Sequence, residues 1–196
     1  MAWTYTITDS YSSMTAEQKE QNASAFWSKM QSEMTIEAAS GILGNMERES
    51  YINPGQLQGG SGTGRGLIQW TPGTVLTDYA AQISGEWHDG DLQCTLILDE
   101  GYGRNGQQGR WIPTSDYTYS WAEFCQLTDV EEACKAYLYE RERAGVTALQ
   151  ERIDDAKKWY SYLGGQPTPP DPPKPDPGTI DINMLLFKRK KSIQRY

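Results

Sequence analysis

The stretch GILGNMERES (residues 41–50), followed by YINP (51–54) and GQLQGGSGTGRGLIQW (55–70), decides how the chain is read. Thr35 suits an N-cap, and residues 36–49 (IEAASGILGNMERE) continue from it as a helix. Ala38, Ala39, Gly41 and Gly44 are small and let a neighbouring backbone come close, which marks this as the central, most buried helix. Asn53-Pro54-Gly55 breaks it. Residues 55–66 hold six glycines and no acid, so they read as turns joining short strands.

Working outward, residues 15–33 read as a helix with Thr15 as cap and Glu17 in its first turn. Its stripe of Ala25, Phe26, Met30 and Met34 is core. Thr71-Pro72 resembles an N-cap with proline at the first helical position, opening a helix through Val75 to Ile83. A further helix starts at Asp89 or Asp91 and stops at Gly101. An irregular loop around Trp111 covers 101–116, and a short helix lies near 118–126. The next helix begins at Thr128, in a capping box with Glu131, and ends before Gly145; the last covers about 146–162. The fold class expected is α+β, mainly α, with one small glycine-rich β-hairpin beside the central helix.

These elements form one domain, 1–163. Residues 164–178 hold seven of the ten prolines and read as a semi-rigid polyproline linker. Residues 179–196 form a short apolar and basic tail, in which MLLF precedes five cations. Those cations (Lys188, Arg189, Lys190, Lys191 and Arg195) leave −13 on residues 1–187, although the whole chain carries −8. So acidic a body argues against nucleic acid as ligand. The basic tail is instead suited to an anionic wall polymer or an acidic tail protein.

Mean hydropathy is low, −0.69, and no run approaches the roughly 18 apolar residues of a membrane span. MAWTYTITDSYSS at the start has neither a charged nor an apolar leader region, so no secretory signal is expected there. Cys94, Cys125 and Cys134 make neither a C-x-x-C pair nor a dense framework, and free buried thiols are expected. No cofactor and no metal are expected either: His88-Asp89-Gly90-Asp91 reads as a loop and helix cap, given the lone histidine. Seven Trp and twelve Tyr against three Phe offer apolar faces with hydrogen-bonding tips, which suit both a small core and a sugar cleft.

Three ordered elements carry chemistry: Glu49-Ser50 at a helix end, Asn53-Pro54, and Gly66-Leu67-Ile68-Gln69 after the glycines. Together they resemble the phage tail-type lysozymes and, more distantly, the lytic transglycosylases and goose-type lysozymes. The run Gly41-Ile42-Leu43-Gly44-Asn45 and the later Tyr139-Glu140-Arg141 are similar to the phage subgroup, and the resemblance covers about residues 15–162. It implies a lysozyme-like fold and cleavage of the peptidoglycan glycan strand between N-acetylmuramic acid and N-acetylglucosamine. Glu49 would be the catalytic acid, with Ser50, Gly66, Gln69 and Trp70 at the substrate. Tyr137 joins them because Ala136-Tyr137 is similar to the transglycosylase Ala-Tyr-Asn element, although Leu138 replaces the Asn.

The chemistry agrees. An acid for glycoside cleavage must hold its proton near neutrality. Burial among Ile, Leu and Met, with the negative end of a helix dipole, disfavours the anion. Glu47, two residues away, faces elsewhere. Standard mechanisms employ two carboxyls, yet no acid lies between Ser50 and Thr77. Asp78, Glu86, Asp89, Asp99, Asp116 and Glu140 are the candidates. An inverting hydrolase, N-acetyl participation and a transglycosylase all stay open. A non-catalytic wall-binding or tail-structural protein on the same fold is the alternative. The place of action is the bacterial wall, reached from a phage tail or, as an endolysin, from the host cytoplasm.

Overall fold

The chain's helices begin where side chains satisfy the otherwise unpaired amides of a first turn. In the computed structural model, which describes residues 2–10, 14–143 and 148–165, Thr15 and Gln18 exchange reciprocal bonds at the start of α1 (Ala16–Met30). The linker beyond Gly165 and the tail lie outside the described residues. Thr35 caps α2 (Ile36–Ser50) by accepting from the Ala38 amide at 3.2 Å. Its hydroxyl also donates to the Leu127 carbonyl, pinning this start to the loop before α6.

Several expected helix boundaries move, three of them for reasons that the side chains show. First, α3 (Thr74–Gln82) starts with Gly73 as N-cap, because the Thr71 hydroxyl turns back to the Gln69 carbonyl instead of capping forward. Second, α4 (Gly90–Tyr102), capped by Asp89, runs past Gly101 to a left-handed Gly103. Gly101 is not a stop; the Trp121 ring occupies the space a Cβ would need. Third, α5 (Trp121–Phe124) is followed by α6 (Val130–Tyr137), whose cap is Asp129, one residue beyond Thr128. The Asp129 carboxylate accepts from the Glu132 amide at 2.9 Å. A π-helical turn, Leu138–Glu142, extends α6, and α7 spans Leu149–Tyr162.

The molecule is mainly helical, as expected, but no regular strand forms among the described residues. The glycine-rich stretch is held by isolated bridges, Leu57–Arg65 and Arg65–Trp70 antiparallel and Thr8–Gln56 parallel. The N-terminal segment is tied down by side-chain amides. Asn22 accepts from the Thr4 amide and donates to its carbonyl; Asn53 does the same for Thr6. Asn53 thus does more than break a helix: it clamps an arm 47 residues earlier in the chain. All three cysteines are buried and unpaired.

α2 is the packing centre, with Ile42, Leu43 and Met46 wholly buried. A Cβ on Gly41 would stand 2.7 Å from the α6 backbone at Ala133 and Cys134. One on Gly44 would stand 2.4 Å from the Arg152 carbonyl and 2.7 Å from the Ala156 amide. α7 therefore lies directly on α2 at Gly44, without an intervening side chain. Rigid backbone cannot yield as a flexible side chain would, so Gly44→Ala should destabilise the domain by about 1–3 kcal/mol, the usual cost of overpacking. Urea unfolding would measure the loss, and an unchanged midpoint would show that α7 is free to move away.

Candidate active site

The close contact at Gly44 brings Arg152, in the first turn of α7, over the last two turns of α2. Asn45 and Glu49 are one helical turn apart and share a face. The Arg152 guanidinium bridges them. Nη1 donates to the Asn45 carbonyl (3.2 Å) and side-chain oxygen (3.1 Å), and Nη2 donates to Glu49 Oε1 at 2.6 Å. Asn45 in turn donates to the Gly41 and Cys134 carbonyls. Arg152 is 4% exposed and Glu49 21%, so the pair is rooted in the body with the carboxylate at the surface. No hydrogen bond to Glu49 Oε2 forms among the described residues. The surroundings of Glu49 thus include a buried guanidinium rather than only apolar side chains, a correction to the expectation from its helix neighbours.

Around this pair the structure places the other expected residues mostly beneath the surface. Ser50 is fully buried, and its hydroxyl donates to the Leu67 carbonyl at 2.7 Å, tying the end of α2 to the Gly-Leu-Ile-Gln turn. Gly66, at φ +78°, leaves room for Gln93, whose Oε1 accepts from the Leu67 amide at 2.7 Å. Trp70 is buried and donates through Nε1 to Glu100 at 3.0 Å. Tyr137 is buried too, with no hydrogen-bond partner for its hydroxyl among the described residues. Burial pushes that phenol well up, and the charges of Glu142, Arg141, Glu100 and Glu49 bear on it. These four residues shape the ground under the site and present little or no surface of their own. Gln69 differs. It is half-buried at φ +48°, its amide donates to the Gly66 carbonyl at 3.1 Å, and its Oε1 is left without a partner among the described residues.

Sequence reasoning missed the basic half of the cluster. Arg141 grips Glu100 with two nitrogens, at 2.9 and 2.7 Å. Arg152 had a signal: with Ala156 and Trp159 it stands at i, i+4 and i+7, a cation on the apolar stripe of α7.

The candidate second carboxyls fare poorly. Asp78, Glu86 and Asp116 are exposed, the first on α3 and the others in loops. Asp89 is the α4 cap, and Asp99 accepts from Tyr79 and Asn105, both at 2.7 Å. Glu47 is paired with Lys19 at 2.6 Å. Glu140 is fully buried, and the acids that bear on it, Glu123 and Glu132, belong to α5 and α6 rather than to the Glu49 site. Among the described residues no group of three or more His, Cys, Asp or Glu is placed to hold a metal.

With this geometry in hand, comparison with known proteins is informative. The sequence pattern of the phage tail lysozymes matches residues 18–163, and the chain belongs to that family. It is also 34% identical over 137 residues to Morphogenesis protein 1 of Bacillus phage B103. That alignment covers 67% of this chain and 36% of the phage protein, so the chain spans about a third of that relative's length.

Glu140 supplies a pH test of the packing around the site. Burial without a counter-charge pushes its carboxyl up to about 7, partly offset by the Tyr119 backbone. The folded protein therefore holds a proton that the unfolded chain releases near pH 4.3. Stability from this group is complete below that value and is lost as pH rises through about 7. Glu140→Gln should gain stability over the parent between pH 5 and pH 8, by about 1–3 kcal/mol. Urea midpoints at the two pH values would show it; a pH-independent difference would mean that Glu140 ionises without penalty.

Proposed function

We propose that the domain cleaves the glycan strand of bacterial peptidoglycan between N-acetylmuramic acid and N-acetylglucosamine, with Glu49 as the acid. The observation that carries this is the Arg152 bridge. It holds one oxygen of Glu49 against α2 and leaves the other at the surface, at the edge of the Gly-Leu-Ile-Gln turn tied there by Ser50. A carboxyl held this way is oriented before substrate arrives, which is where enzymes gain most from electrostatic and geometric preorganisation. Protonating the glycosidic oxygen lets the C1–O bond break with its electron pair leaving on that oxygen.

Gln69 is half-buried, with an unpartnered Oε1 beneath the surface, beside a backbone whose glycines allow close approach of a bulky ring. Ser50, Gly66, Trp70 and Tyr137 serve the substrate from below, by fixing the position of Glu49 and Gln69. A lysozyme-like fold accommodates this arrangement, with the bridged glycine-rich element in the place of its hairpin. Family membership supports a phage tail as the enzyme's vehicle and the wall as its target. The proposed division of the chain is catalytic domain 1–163, linker 164–178 and basic tail 179–196.

One observation favours a second reading, a tail component without catalysis: the relative is called a morphogenesis protein. The two readings part at Glu49. Glu49→Gln keeps shape and hydrogen-bonding capacity but has no carboxyl proton to give. Clearing of purified walls should fall by at least ~10²-fold, the usual scale of a general acid. Wall clearing at the parent rate would remove Glu49 from the mechanism, and no clearing by the parent would favour the structural role.

A further inference from the structure

The arm at residues 2–10 has two unlike edges. Along one, every second residue is held by both of its backbone groups. Asn22 clamps Thr4, whose amide donates to Oδ1 and whose carbonyl accepts from Nδ2, both at 2.8 Å. Asn53 clamps Thr6 in the same way, at 3.1 and 2.8 Å. The Thr8 amide donates to the Gly55 carbonyl at 3.3 Å, and the Thr8 carbonyl accepts from the Leu57 amide at 2.8 Å. In extended backbone, successive residues turn their N–H and C=O to opposite edges. The backbone groups of Trp3, Tyr5 and Ile7 therefore point away from the body. None of them has a hydrogen-bond partner among the described residues.

The side chains of this second row are open as well. Tyr5 is 49% exposed and Ile7 52%. An edge that is unpaired in its backbone and apolar in its side chains is a template for another strand, and folded chains usually blunt it with charge or proline. Neither lies between Trp3 and Ile7. Beside this edge, Trp3, Tyr5 and His88 line a cavity of about 360 Å³ together with Glu86, Asp89 and Asp91. The Tyr5 and His88 rings lie 4.4 Å apart, and Trp3 Nε1 donates to Asp91 at 2.9 Å. None of the three acids is in a salt bridge among the described residues. Aromatic rings with unneutralised carboxylates suit a cation.

We propose that the outer edge of the arm, Trp3 to Ile7, docks an extended segment of another protein that bears lysine or arginine and pairs with it as an added strand. The segment's backbone meets the free groups of Trp3, Tyr5 and Ile7, and its apolar side chains cover Tyr5 and Ile7. A cation beside them enters the cavity at Glu86. The open backbone edge specifies an extended peptide, and the acids specify its charge. They also disfavour edge-to-edge pairing with a second arm, which would bring the same three acids up to these, on bodies that each carry −13 over residues 1–187.

The probe is the capped peptide Lys-Thr-Val-Thr-Val-Thr-Lys, added to the full chain labelled with ¹⁵N. At saturation, hydrogen exchange of the Tyr5 and Ile7 amides should slow at least ~10-fold, while the Thr4, Thr6 and Thr8 amides, already bonded, stay as they were. An added strand uses only one of its own edges. Methylating the peptide nitrogens of one edge should therefore weaken binding at least ~10-fold, and methylating those of the other should leave it unchanged. Glutamate in place of both lysines should weaken binding at least ~10-fold at low salt and by less as salt rises. Ile7→Pro removes an outward donor and breaks no bond to the body, so it should weaken binding at least ~10-fold with the Thr4 and Thr6 amide signals in place. Unslowed exchange at Tyr5 and Ile7 would overturn the proposal. So would equal binding of the two methylated peptides, which would mean capture by the rings alone, or binding indifferent to the change from lysine to glutamate. Slow exchange of both amides before any peptide is added would also overturn it, because the chain itself, this copy or a second, would then fill the edge.

Discussion

The guanidinium of Arg152, lying across Asn45 and Glu49, joins the two helices on which the site depends, and Gly44 makes that contact possible. With any side chain at 44, α7 would stand off from α2 and the guanidinium could not reach both partners. The arrangement is also costly. Burying a charge requires complete pairing, and Arg152 meets that demand with a carboxylate, a backbone carbonyl and a side-chain amide oxygen. A lysine could supply the charge but not the planar fork that spans two residues one turn apart. Packing and electrostatics thus converge on the same few atoms: the glycine that shapes the core also places the charge that holds Glu49.

From that contact the rest of the site follows along hydrogen bonds. Ser50 carries the position of α2 into the Gly-Leu-Ile-Gln turn, and Gln93 holds the turn from the other side through Leu67, Pro54 and Trp87. Trp70 passes through the turn to Glu100, and Arg141 returns from the π-turn to the same carboxylate. These links are buried or partly buried and directional, so Glu49 and Gln69, both half-buried, are supported by a well-ordered frame.

The parts of this frame that were legible in the sequence are those set by neighbours in the chain. Caps at Thr15, Thr35 and Asp89 announce their helices, and the small residues of α2 announce a close backbone, found at both Gly41 and Gly44. Where two local explanations compete, the chain alone does not choose. Gly101 looks like a helix stop but is a seat for Trp121, twenty residues on. Thr128 and Asp129 are adjacent caps, and the carboxylate takes the position. Glu49 was legible as the acid candidate, but its charged setting was not. Its partner lies 103 residues later, and no local pattern pairs two such positions.

The central claim is that this charged site cuts the glycan strand, and the bond broken decides it. Mass spectrometry of the soluble fragments released from purified peptidoglycan by the full chain reads that bond directly. The account predicts muropeptides with new sugar ends at the N-acetylmuramic acid to N-acetylglucosamine linkage, a water lighter if a transglycosylase made them. Fragments released only by scission of the peptide cross-links, with glycan strands at their original length, would contradict it.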